Sequence, residues 1–144
     1  MTIMKRNVAN EIKEFHGMIN DVVSNTHNLP KDIGYTQGLI MVYLMKHSDE
    51  RIYQKDLEDV LHIRKSSITE HINILEEKNL IVRVCDDDDK RKRYLKPTRK
   101  AMGINKAIIE TVKSLNDRMI KGIDEDELEC FFRVLDKMKG NMDK

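Results

Sequence analysis

No tryptophan occurs in the chain, and tyrosine and phenylalanine together supply only seven aromatic residues. A core built from this sequence must therefore be mostly aliphatic, and the nine methionines point to an adaptable one. Cysteine is scarce too. Cys85 and Cys130 are too few for a disulfide scaffold and lack metal-type spacing, so both are expected as free thiols in a reducing compartment. No apolar run approaches the ~20 residues of a membrane span. The first residues, MTIMKRNVANEIK, have no apolar core of the signal-peptide kind, so a cytoplasmic protein is expected. Charge of one sign is missing as well: the net charge is +1, so any basic patch must be local. There is no internal repeat, no glycine-rich phosphate loop, no nucleophile elbow and no compact acid–base pair, so no enzyme is expected. His16, His27, His47, His62 and His71 form no short metal motif, and no metal site or resident cofactor is expected.

What is present is amphipathic helix. Apolar residues make up 40% of the 144 positions and charged residues 35%, which gives a thin core for a compact monomer. Met4, Val8, Ile12, Phe15, Ile19 and Val22 recur at three- and four-residue steps and predict a first helix. Pro30 and Gly34 break it. TQGLIMVYLMKH predicts a buried second helix with Thr36 as its N-cap. Arg51 to Tyr53 reads as a short extended piece. Gln54, Leu57, Val60 and Leu61 then form the apolar edge of a third helix. RKSSITEHINILEEKN predicts a fourth, with Ile68, Ile72 and Leu75 on one stripe and Asn79 at its end.

The period then changes. LIVRVC and KRYLK are strand-like runs on either side of DDDDKRKR, and together they predict a hairpin. Helical period returns after Pro97 and Thr98, with Ile104, Ile108, Val112, Leu115 and Met119 on a stripe running to about Ile123. Asp124 and Glu127 have the spacing of a capping box. They open a last helix whose Leu128, Phe131, Leu135 and Met138 are expected to face inward. The fold expected is mainly α with a small β-hairpin: a winged helix-turn-helix over residues 34–101, within a single domain spanning 1–144. The segments 1–29 and 104–144 carry apolar stripes that the central module is too small to cover, and they are expected to dimerise. A self-contained helical bundle is the alternative.

QKDLEDVLHIRKSSITEHINILEEKNLIVR, from Gln54 to Arg83, resembles the helix-turn-helix of the MarR family of bacterial transcriptional regulators. LEEKNLIVR, from Leu75 to Arg83, is similar to the segment that closes the family's recognition helix. Asp89, Arg91 and Thr98 match its wing pattern, and GYTQGLIMVYL its preceding helix. Four positions depart from it: His62 and Asn79 stand where glycine is common, and Pro97 and Ala101 replace a leucine and a glycine. Asn and His reach positive φ more readily than most residues, which keeps both turns accessible.

The resemblance implies a homodimeric, sequence-specific regulator, most often a repressor, bound to a pseudo-palindromic site on double-stranded DNA. It also implies a small, often aromatic effector that releases the DNA; its identity and its binding residues are not legible in the chain. The candidate DNA-binding residues are Arg64, Lys65, Ser66, Ser67, Thr69, Glu70 and Asn73 in the recognition helix. In the wing they are Lys90, Arg91, Lys92 and Arg93. Asn73 could pair with adenine and Glu70 could accept from a cytosine amino group. Asp89 is expected to steady Arg91 by an ion pair. Strand alternation would send Lys92 and Arg93 to opposite faces. Asp86 to Asp88 are expected to form a solvated bend. Taken singly, each of these residues fits an ordinary solvated face. A dimeric winged helix that binds protein instead of DNA is the second function class.

Overall fold

In the computed structural model, which describes residues 6–26, 29–30 and 33–143, the chain begins with a helix whose stripe stays largely exposed. This helix, α1, spans Val8–Ser24 and is capped by Asn7, whose side chain accepts from the Asn10 amide at 3.2 Å. Met4, the first residue of the expected stripe, lies outside the described residues. Helix α2 (Tyr35–Lys46) is the most buried element, with Ile40, Met41 and Leu44 in the core. It starts at Tyr35 and not after Thr36: Gly34 occupies the N-cap and the Gln37 side chain returns to the Gly34 amide at 3.4 Å. A Cβ there would lie 3.2 Å from the side-chain oxygen Oδ1 of Asn20, a tight approach that glycine avoids.

Helices α3 (Gln54–Leu61) and α4 (Lys65–Glu77) follow, joined by a tight turn. His62 closes α3 in the left-handed region at φ 54°, and Asn79 adopts φ 60° after α4. These are two of the positions where the family pattern favours glycine, and the conformation it serves is preserved by residues that tolerate it. Strands β1 (Ile81–Cys85) and β2 (Arg93–Pro97) pair antiparallel, with Ile81 opposite Pro97 and Cys85 opposite Arg93. Pro97 ends β2, as a residue without a donor must at a ladder's end. Ile52 joins the hairpin's edge: its carbonyl accepts from the Leu95 amide at 2.7 Å.

The helical stretch after the wing is not continuous. Thr98 caps a short helix α5 (Arg99–Gly103), its Oγ1 accepting from the Ala101 amide at 3.1 Å while its hydroxyl donates to the Asn79 carbonyl at 2.7 Å. Ile104, at φ −110° and ψ 5°, then turns the chain into α6 (Asn105–Met119). Ile108 and Leu115 of the expected stripe are buried, whereas the helix stops at Met119 and Ile123 lies exposed in the following turn. Helix α7 (Glu125–Met142) has the expected capping box, with Asp124 and Glu127 bonded reciprocally at 2.8 and 3.1 Å. Its apolar stripe does not face inward: Leu128, Leu135 and Met138 are half-buried and Phe131 is exposed. A single chain offers this helix nothing to pack against fully.

The core therefore sits in the middle of the chain. Ile40, Met41 and Leu44 of α2 meet Leu57 of α3, Ile68, Ile72 and Leu75 of α4, and Leu95 of β2, all at 3% exposure or less. That cluster holds α4 by one stripe and leaves its opposite face outside.

Candidate nucleic-acid interface

Helix α4 begins at a bend dictated by the left-handed His62. Arg64 is the N-cap, extended at φ −66° and ψ 149°, with no side chain satisfying the first amides. The helix start therefore keeps donors available to an anion. Arg64, Lys65, Ser66, Glu70 and Asn73 are exposed, and Ser67 and Thr69 are half-buried. Two of these side chains are held by neighbours that the motif reading did not anticipate. Thr69 Oγ1 accepts from Gln54 Nε2 at 2.7 Å and donates to the Lys65 carbonyl at 2.8 Å, which ties α3 to the first turn of α4. Asn73 Oδ1 accepts from Arg83 Nη2 at 2.8 Å. Arg83 also donates to Glu76 and so clamps β1 to the recognition helix. Because a guanidinium only donates, the oxygen of the Asn73 amide must face Arg83.

In the wing, Asp89 holds Arg91 through its amide at 3.1 Å and its Nε at 3.2 Å. The Arg91 guanidinium keeps the Asp89 carboxyl below the usual carboxylate range. Lys90, Arg91, Lys92 and Arg93 are all exposed. Strict alternation does not govern both Lys92 and Arg93. Strand pairing starts only at Arg93, and Lys92 sits in the turn, its amide bonded to the Asp89 carbonyl at 2.9 Å. Alternation does not reach it, and both side chains line one groove of about 790 Å³ together with Arg91, Lys65, Tyr53 and Gln54. The wing and the start of α4 thus contribute four cations to a single concave surface, which Lys55, Asp56 and Glu58 of α3 also border.

Asp86 departs most from the sequence reading. It belongs to no solvated bend: its side chain is 4% exposed, against 87% and 90% for Asp87 and Asp88. Arg51 Nη1 reaches its carboxylate at 2.7 Å, the Tyr53 hydroxyl donates to it, and the Asp88 amide adds a third bond at 2.8 Å. The Tyr53 hydroxyl first, and then the Asp88 amide, hold the Asp86 carboxyl below its ordinary range. The same bond to Asp86 pushes the Tyr53 hydroxyl up. Arg51 and Tyr53 lie more than thirty residues upstream, so no local motif signals this cluster.

A second apolar surface lies away from the groove. Ile12, Phe15 and Ile19 of α1 and Phe131, Val134, Leu135 and Met138 of α7 line an open cavity of about 660 Å³. Val8, Ile12, Phe15, Phe131 and Phe132 are each 45% exposed or more. No helix among the described residues is long and apolar enough to cross a membrane, and no group of His, Cys, Asp and Glu among them could hold a metal ion.

Residues 31–92 match the family model described as the MarR family, a span from α2 to the turn of the wing, ending just before β2. An HTH-type transcriptional regulator of Bacillus subtilis, YwhA, is 24% identical over 110 residues, covering 76% of this chain and 78% of that protein. The structure of S. aureus MepR in complex with DNA superposes with a TM-score of 0.77 at 20% identity, over 94% of this chain and 95% of that one. The heme sensor PefR of Streptococcus agalactiae, solved with heme, gives 0.63 at 24% identity, over 94% and 88%. Element order and the matched segment agree: the fold is that of a winged helix-turn-helix, and residues 31–92 are similar to the MarR family of transcriptional regulators.

Proposed function

We propose that the protein is a homodimeric, sequence-specific DNA-binding regulator acting as a repressor. The observation that carries this reading is the groove that brings Lys65, Arg91, Lys92 and Arg93 together beside the exposed face of α4. Lysine and arginine in such a concave surface match a phosphate backbone, whose contacts set affinity and register. The exposed Ser66, Glu70 and Asn73, with Ser67 and Thr69 beside them, would read base edges in the major groove. Arg64 and Lys65 would meet phosphate at the helix start, and Lys90 to Arg93 the backbone and minor groove beside it. Asp89 keeps Arg91 oriented.

Residues 1–29 and 104–144 supply the dimerisation helices of a single domain, and residues 34–101 the DNA-binding part. The exposed stripes of α1 and α7 support the dimer, since five large apolar side chains there lack cover in one chain. A two-fold pair would present two α4 helices to a pseudo-palindromic site. Release by a small molecule fits the same scheme: a ligand favouring a different separation of the two α4 helices lowers affinity for DNA. The cell interior is the compartment this function needs.

Selection of bound duplexes from random DNA tests the reading. A palindromic consensus is expected. Enrichment of no sequence would instead favour a winged helix that binds protein.

A further inference from the structure

The wing is a two-stranded hairpin, an element that is marginal by itself in water. Besides Arg83, which clamps β1 to α4, two attachments tie it to residues 51–53, just ahead of α3. One is the backbone bond from the Leu95 amide to the Ile52 carbonyl at 2.7 Å. The other is at the base of the hairpin's turn, where β1 ends and the aspartate run begins. Arg51 and Tyr53 flank Ile52 in an extended segment, so their side chains leave it on the same face. Both end on the buried carboxylate of Asp86. The Asp86 amide in turn donates to the Lys92 carbonyl at 3.1 Å, which closes the turn and fixes where Lys92 begins. Ring contacts continue the assembly: the Arg51 guanidinium lies 5.1 Å from the Tyr94 ring centre, and the Lys92 ammonium 5.6 Å from that of Tyr53. Tyr53 is also the N-cap of α3, so this cluster connects the wing's turn directly to the helix-turn-helix.

Arg51 has a second role in charge. It lies 2.7 Å from Asp86, 3.8 Å from Asp87 and 3.3 Å from Asp88. Three carboxylates next to a cationic groove would otherwise repel phosphate, and one guanidinium offsets part of that field.

We infer that Arg51, Tyr53 and Asp86 form a latch that sets the wing against α3, and that through it Arg51 positions Lys92 and Arg93 for contact with the DNA backbone. This inference rests on the DNA-binding reading above. The three are positioning residues: they hold the wing and do not themselves meet DNA.

Asp86→Asn separates this latch from simple charge. Removing a negative charge beside the groove should tighten DNA binding if Coulomb attraction alone governs it. The latch predicts the reverse, at least a tenfold loss. The full-length parent, Arg51→Met, Asp86→Asn and Tyr53→Phe are compared on a selected duplex at one salt concentration, with helicity checked by circular dichroism. At saturating protein, hydroxyl-radical protection of the flanking minor grooves is expected to fade in all three. Methylation protection of guanines in the central major groove is expected to persist. The double variant Arg51→Met/Asp86→Asn should bind no worse than Arg51→Met alone, as for two residues acting through one contact. Tyr53→Phe, which removes a single hydroxyl, carries the test should either charge variant fail to fold. Unchanged flanking protection, or tighter binding by Asp86→Asn, overturns the latch and leaves the DNA-binding reading intact. A parent that binds no duplex overturns both.

Discussion

Phe131→Ala tests the role of the terminal helices. Phe131 sits on α7, 55% exposed, across an open cavity from Ile12 and Phe15 of α1. A phenylalanine offers about 200 Å² of surface, and at 55% exposure about 110 Å² of it remains to be covered by a second copy. At about 25 cal/mol per Å² that area corresponds to ~2.7 kcal/mol per subunit. A two-fold interface counts it twice, for about 5.5 kcal/mol. Association converts area incompletely, because polar groups are desolvated and side chains ordered, so about half is expected to survive. The remaining ~2.7 kcal/mol is roughly a hundredfold in the dissociation constant. Sedimentation equilibrium over a concentration series measures that constant, and circular dichroism shows whether the helices persist. Because Phe131 contributes little to the core of one chain, helicity should hold while the dimer weakens. An unchanged dissociation constant, or a parent that is monomeric at micromolar concentration, refutes the reasoning.

Other perturbations probe the groove and the frame. Arg91→Ala should reduce affinity for a selected duplex and lower the slope of log K against log salt by about 1, the signature of one lost phosphate contact; parallel salt titrations with an identical slope would remove Arg91 from the interface. Asp86→Asn should be less stable to urea than the parent at neutral pH. The folded-state pKa of Asp86 is depressed, so its contribution is present above the unfolded value of about 3.9 and is lost as pH falls through the folded one. The stability gap between parent and variant should therefore narrow below about pH 4, and a gap that stays constant down to pH 3 contradicts the assignment. Thr98→Ala removes the cap of α5 and the bond to Asn79, and should cost about 1 kcal/mol in urea unfolding; no measurable change would mean that this junction contributes nothing to stability.

Much of the framework was legible because its causes are local. Apolar spacing at three and four residues placed α1, α3, α4 and α7, and a change of period marked the hairpin. The spacing of Asp124 and Glu127 located the start of α7, since a capping box closes within one turn. The tolerance of His62 and Asn79 for positive φ predicted that both turns would survive without glycine. Thr36 misled because glycine at 34, freed from steric conflict with Asn20, starts the helix earlier. The break at Ile104 escaped notice because periodicity runs through it without interruption.

By itself, then, the sequence determined the order of elements, the stripe that buries α4, the local Asp89–Arg91 pair and the likeness to the MarR family over residues 31–92. Tertiary structure alone decided what Asp86 does. Asp86, Asp87 and Asp88 look equivalent along the chain, but only Asp86 is buried, where the base of the hairpin's turn meets the segment from Arg51 to Tyr53, thirty-odd residues away. It also decided that Lys92 and Arg93 border one groove, since strand pairing begins only at Arg93 and leaves Lys92 in the turn. Contacts that close over long loops leave no periodic trace, because the chain's path between the partners carries no information about their meeting.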